Sequence, residues 1–188
     1  KQIPVLINYS RGNKRYEKAP DEFDLALIEY IEKSEIPYWY PTYIMPEGYN
    51  TEQPKISHDL THVHHFYTKR NLWVLSAISK SYCRHLQTKL LNQSVVSTLT
   101  SNLVRYNQGH RGNGPLNGTL YVPSLIAESN VFKAILGKIS DFSSAFLSNI
   151  YSSVACQSTT QRISPSNSVE YIFTDPPFGG NLMYSELN

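Results

Sequence analysis

Between residues 60 and 127 the chain has no aspartate or glutamate, although the same stretch holds seven of its lysines and arginines and five of its six histidines. Residues 1–59 carry ten acids against seven bases, and residues 128–188 carry five against three, so the formal net charge of +2 conceals a strongly basic middle. A long run without carboxylates suits a surface that meets phosphates, the bland alternative being that sparse charges cluster by accident. Cysteine is scarce: Cys83 and Cys156 are the only two, which excludes a disulfide scaffold and fits a reducing, cytoplasmic setting. No apolar run approaches the roughly 20 residues of a membrane helix, and no signal peptide or internal repeat is evident. The glycines of Gly109-x-x-Gly112-x-Gly114 lack the spacing and the strand–helix setting of a phosphate-binding turn, and no H-E-x-x-H occurs.

What remains is globular in composition. Of 188 residues, 40% are hydrophobic and 17% charged, enough for one domain with a real core, or one domain and a piece of another. The chain opens on Lys1 rather than Met, and its most informative motif lies close to its end, so a fragment of a longer protein is expected.

That motif is the run from Val169 to Gly180. Val169, Tyr171, Ile172, Phe173 and Thr174 are strand formers, and the run stops at Asp175-Pro176-Pro177-Phe178. A strand ending this way delivers one carboxylate to the edge of a sheet, where ligands of open α/β folds bind. Two prolines stiffen the bend, and Pro176 also biases Asp175 away from helical backbone. A carboxylate that only accepts, a free carbonyl and a flat ring together suit a planar heterocycle bearing an NH₂ group. By composition alone, D-P-P-aromatic should arise in about 1 chain in 500 of this length, so a plain turn after a strand is the less economical reading.

Asp175-Pro176-Pro177-Phe178 resembles the D-P-P-[YF] motif of S-adenosylmethionine-dependent DNA methyltransferases that modify exocyclic amines. Residues 174–188 as a whole, and His64-His65-Phe66-Tyr67-Thr68-Lys69-Arg70-Asn71-Leu72, are similar to segments of large bacterial site-specific DNA methylases. The resemblance implies a base-flipping enzyme. Asp175 and the Pro176 carbonyl would each accept one N–H of the target amine, and Phe178 would stack on the base. The effect is one of positioning and electrostatic preorganisation, with no covalent intermediate. It also implies that Thr68, Lys69, Arg70 and Asn71 start a helix and contact phosphate or line a pocket. S-adenosylmethionine is the implied cofactor, but the family's glycine-rich F-x-G-x-G turn is missing and is expected before residue 1. The acidic residue often found near the cofactor's adenine is replaced by Gln157-Ser158-Thr159. This piece alone is therefore expected to be inactive.

Along the chain, residues 3–9 suggest a short strand or extended arm with Pro4 at its start, and residues 11–16 a polar loop. A helix is expected over about 21–34, with Asp21 at its head and Leu25, Ile28 and Ile31 on one face. Residues 36–46, with three prolines and four aromatics, should be extended and draped on the surface or lining a groove. A long helix over about 68–91 follows, its stripe being Leu72, Leu75, Ile78, Tyr82, Leu86 and Leu90. Residues 95–106 fit strand or helix equally, 107–118 a loop, 119–123 a short strand and 124–137 a helix. Residues 150–156 suit a strand beside the motif strand. Lys69, Arg70, Lys80, Arg84, Arg105 and Arg111 are the candidate DNA contacts, each of which singly fits an ordinary solvated face.

His58, His62, His64 and His65 fall within eight residues. His58 and His62 would share a helix face and His62 and His64 a strand face, but no one element presents three together, so no metal is assigned. The expected fold is mixed α/β: an incomplete Rossmann-like methyltransferase domain at 149–188, preceded by a mostly helical recognition or insert region at 1–148. DNA and the rest of the parent chain are the expected partners, and no membrane. Three readings compete with DNA amino-methylation: a non-catalytic DNA-binding module, methylation of RNA or protein amides (where Asn more often replaces the aspartate), and a histidine metalloprotein.

Overall fold

Three of the longer helices begin where a polar side chain takes up a backbone N–H that the first turn leaves without a partner. The computed structural model describes residues 2–82, 96–106, 114–116, 118–145, 165 and 167–173. In it, helix α1 (Glu22–Lys33) is opened by a reciprocal box: Asp21 Oδ1 accepts from the Asp24 N–H and Asp24 Oδ2 from the Asp21 N–H, both at 3.0 Å. Lys18 bonds both carboxylates, at 2.8 and 2.6 Å, and holds the Asp21 carboxyl down to about 2. Helix α2 (Tyr49–His58) contains Pro54 and ends on Asp59 in the left-handed region. Helix α3 (Lys69–Tyr82) is capped by Thr68, whose Oγ1 accepts the Asn71 N–H at 3.2 Å. Helix α4 (Val131–Ala145) is capped by Asn130, whose Oδ1 accepts the Lys133 N–H at 3.0 Å.

The chain is a mixed α/β structure with several helices and, among the described residues, one small sheet of two strands. Strands β1 (Ile7–Arg11) and β2 (Lys14–Lys18) pair antiparallel, Tyr9 facing Tyr16 with rings stacked 5.4 Å apart. The polar loop expected at 11–16 is thus the turn and second strand of a hairpin. Gly12 supplies φ of +61° at the first turn position, which a two-residue connection requires there. Residues 36–46 are irregular, as expected. Their single pairing is at Ile44, where Met45 N–H donates to the Thr61 carbonyl and Val63 N–H to the Tyr43 carbonyl.

Further on, the structure departs from the pattern reading in three places. Thr119–Pro123 form no strand. The helix expected from Ser124 starts at Val131 instead, because Leu125 and Ala127 are committed to backbone bonds with Tyr106 and Val104 around the Arg105–Ile126 bridge. Val169–Phe173 are unpaired, with Tyr171, Ile172 and Phe173 at 79%, 74% and 80% exposure, rather than a buried strand. Strand-forming side chains do not make a strand by themselves: the backbone needs a neighbouring strand to take its N–H and C=O groups. No described residue offers one here. The outer part of the long helix, residues 83–91, and the strand expected at 150–156 lie outside the described residues.

The core is small and partly polar. Phe66, Leu72, Val96, Val104, Val122 and Val131 are buried, together with Thr68, Asn71, Ser76, Thr100, Ser101 and Asn102. Helix α3 sits at its centre, against α1 and α4. Asn71 binds the parts together: its Nδ2 donates to the Thr100 carbonyl at 2.9 Å and to the Ser129 carbonyl at 3.1 Å. The Asn102 N–H donates to the Phe66 carbonyl at 2.7 Å. Among the described residues no helix is long and apolar enough to cross a membrane.

Replacing Asn71 by Ala strands two carbonyls and should cost about 2–3 kcal/mol in urea unfolding, while Asp21→Ala at the exposed α1 cap should cost clearly less. Equal losses would contradict the central place given to Asn71.

Candidate functional site

Residues 62–72 turn a histidine-rich strap directly into a helix start, and two kinds of site residue meet there. A 3₁₀ turn (Val63–Phe66) follows His62 in extended backbone, and Thr68 then opens α3. The turn draws three imidazoles together. Ring centres of His64 and His65 lie 4.5 Å apart, His62 and His65 5.0 Å, and His62 and His64 5.5 Å. Tyr40, on the extended segment, approaches His64 at 5.7 Å.

Proton placement decides what these rings can do. The Thr61 N–H donates to His65 Nδ1 at 3.2 Å, so neutral His65 carries its proton on Nε2 and offers a donor there, not a metal lone pair. His62 Nδ1 meets the Thr61 hydroxyl at 2.8 Å, and exposed His58 turns to the Ser57 hydroxyl at 2.7 Å, away from the other three. His64 Nδ1 is buried with no hydrogen-bond partner. Burial, then the neighbouring His65 and His62, push the His64 pKa below its ordinary value. Among the described residues no group of three or more potential ligands is arranged to hold a metal.

Beside the rings runs an open cleft of about 270 Å³. Glu32, Ile36 and Tyr40 form one side, His64, His65 and Tyr67 another, and Lys69 and Leu72 of α3 close it. Burial raises the pKa of the Tyr67 phenol against a hydrogen bond with Ser97 that lowers it, so the ring is neutral at physiological pH. A volume near the bottom of the small-molecule range admits one planar ring system rather than an extended cofactor.

The basic residues singled out from sequence have internal partners wherever they are described. Arg70 is gripped bidentately by Glu128: Nε donates to Oε1 at 3.0 Å and Nη2 to Oε2, while the Thr68 hydroxyl donates to Oε1 at 2.9 Å. Glu128 is the first acid after the carboxylate-free stretch, and its hydrogen bonds raise the Arg70 pKa further. Lys69 Nζ donates to the Glu32 carbonyl at 2.7 Å. Exposed Lys80 lies 5.3 Å over the Tyr38 ring, and Arg105 Nε donates to the Gly114 carbonyl at 3.4 Å. The helix-start role expected for residues 68–71 is met by Thr68. Asn71 proves to be a tie through the core, and phosphate contact by Arg70 or Lys69 would have to displace an existing partner. Asp175, Pro176, Pro177, Phe178, Arg84 and Arg111 lie outside the described residues.

Nor do the described residues assemble a cradle for S-adenosylmethionine. Among them no glycine-rich turn joins a strand to a helix, and the one sheet is a hairpin. Residues 36–46 were expected to be draped on the surface or to line a groove, and Tyr40 lines this one, whereas sequence reasoning missed Tyr67 and Glu128. The signal for Glu128 was present in part, since it and Asp59 are the two acids that border the long basic stretch. Comparison of the chain with protein-family models, curated proteins and solved structures finds no match.

Two outcomes follow from this geometry. Glu128→Ala leaves the Arg70 guanidinium half-buried and alone, and should cost about 1.5–3 kcal/mol in urea unfolding. For His64 the sign is fixed by its lowered pKa: below 6.5 the unfolded chain takes up the proton first, so stability falls as pH drops through and below that value. The urea midpoint should therefore fall between about pH 7.5 and pH 5, and His64→Phe should flatten that fall and raise stability near neutrality.

Proposed function

We propose that the chain is part of an S-adenosylmethionine-dependent DNA methyltransferase acting on an exocyclic amine, adenine N6 or cytosine N4, of a flipped base. The observation that carries the reading is Asp175-Pro176-Pro177-Phe178 at the end of a run of strand-forming residues. Supporting it is the carboxylate-free stretch of residues 60–127, with exposed Lys80 on its surface.

The chemistry asked of these residues is positional. An aromatic amine has its lone pair drawn into the ring. A carboxylate at Asp175 and the carbonyl of Pro176, each accepting one N–H, pull the nitrogen toward a pyramidal form whose lone pair is free to attack. The paired prolines keep the two acceptors at fixed separation, because neither ring permits φ to relax. Phe178 stacks on the base and holds its plane. S-adenosylmethionine supplies the methyl group, and its glycine-rich turn belongs to the remainder of the parent protein.

In that reading residues 149–188 contribute to a Rossmann-like sheet. The unpaired, exposed run Val169–Phe173 then acquires its neighbours from the rest of the parent chain, in the cytoplasm. A non-catalytic DNA-binding module is the second reading, favoured by the same unpaired run, since a catalytic aspartate needs a strand to aim it.

One variant separates the two. In the full parent protein Asp175→Ala should lower methyl transfer to duplex DNA by at least about a hundredfold and leave DNA affinity within about threefold. Undiminished transfer would eliminate the assigned role of Asp175, and no transfer by the unaltered parent protein would favour the binding module.

A further inference from the structure

We propose that the cleft between Tyr40, His64, His65 and Tyr67 is a binding slot for one unpaired nucleobase of a single-stranded nucleic-acid segment. This inference rests on the cleft and is independent of the Asp175 reading.

The first argument is shape. Four rings from two separate stretches of chain border one opening, and Ile36 and Leu72 give it apolar walls. At about 30 Å³ per water, the cleft holds some nine water molecules, a volume matched to one or two fused rings. Stacking against aromatic side chains is how single strands are held without a sequence-specific code.

Charge decides against an anion in the slot itself. Arg70 is committed to Glu128, Lys69 to the Glu32 carbonyl, and burial among other imidazoles favours neutral His64. The cleft lining thus holds one carboxylate, Glu32, and one ammonium, Lys69, which is bonded to the Glu32 backbone carbonyl, and among the described residues it offers no free cation inside. A neutral ring fits where a phosphate does not. Hydrogen-bonding capacity is available as well, since His65 carries its proton on Nε2. The strand's phosphates have a counterpart in exposed Lys80, which lies 5.3 Å over the ring of Tyr38, two residues before Tyr40 of the cleft. A neutral aromatic slot set in basic sequence is what a base and its flanking phosphates require together.

The test uses the purified chain with three probes: a short single-stranded oligodeoxynucleotide, an abasic strand of the same length, and free adenosine. The base-bearing strand should bind about five- to a hundredfold more tightly than the abasic one. Adenosine should shift the imidazole resonances of His64 and His65. Tyr40→Leu, which removes a ring, and Ile36→Trp, which fills the cleft, should each erase the preference for bases, while Phe132→Leu on the exposed face of α4 should not. The binding assay contains no methyl donor and is read on the purified chain, while methyl transfer is read on the parent protein, so that loss of base binding and loss of methyl transfer can be told apart. Equal binding of the abasic strand, which requires no variant to fold, would overturn the proposal. So would a base preference that survives both Tyr40→Leu and Ile36→Trp.

Discussion

The two hydrogens of the Asn71 amide reach carbonyls 29 and 58 residues further along the chain. Asn71 thereby joins three separate stretches of the sequence. Its backbone N–H is meanwhile bound by Thr68, so the residue that ties the core is also held in the first turn of α3. Next to it Glu128 fixes Arg70 and Thr68 from the segment leading into α4. The packing is therefore specified by directional bonds as much as by apolar area, consistent with a core in which, among the described residues and counting Thr51, seven polar residues are buried beside six hydrophobic ones. Such a core tolerates little displacement: each polar group has a partner at one distance and angle, and a shifted neighbour leaves it dry and unpaired.

This arrangement also fixes the cleft. Leu72 and Lys69 reach it from the first turn of α3, Tyr67 is the residue before the capping threonine, and His64 and His65 sit on the preceding 3₁₀ turn. The far side comes from the end of α1 and the extended segment, held by the backbone pairing of Tyr43 and Met45 with the strap. A site assembled on one capped helix start and one short bridge is rigid where α3 supports it and softer where Tyr40 does.

Local rules made part of this legible. Asp21 announced α1 to within a residue, and of the stripe expected on α3 Leu72 is buried and Leu75 and Ile78 half-buried, while Leu86 and Leu90 lie outside the described residues. The hairpin escaped the pattern reading, which gives residues 11–16 as a loop, although Gly12-Asn13 is a two-residue turn signal obscured by the surrounding lysines and arginines. Helix α2 was hidden by Pro54, a residue that argues against the helix interior it occupies. What could not be read locally was set by distant partners. Ser124 has the chemistry of a helix cap, yet the chain there bonds to Val104 and Tyr106, and Asn130 takes the role instead. Of the candidate site, the histidines and the residues 68–71 stood out at once. Their meeting with Tyr40 depends on a bridge between Ile44 and His62 that no spacing rule foretells.

Val169, Tyr171, Ile172 and Phe173 present backbone and apolar side chains to water, with Glu170 as the only charge among them. A short ribbon with a single charge is a template for its own kind: an identical segment from a second molecule satisfies its hydrogen bonds and covers its rings in one step. The hairpin at the other end of the chain is spared by its lysines and arginines, which repel an incoming copy. Fibre formation by the isolated chain would thus begin at the C-terminal ribbon and steepen with concentration.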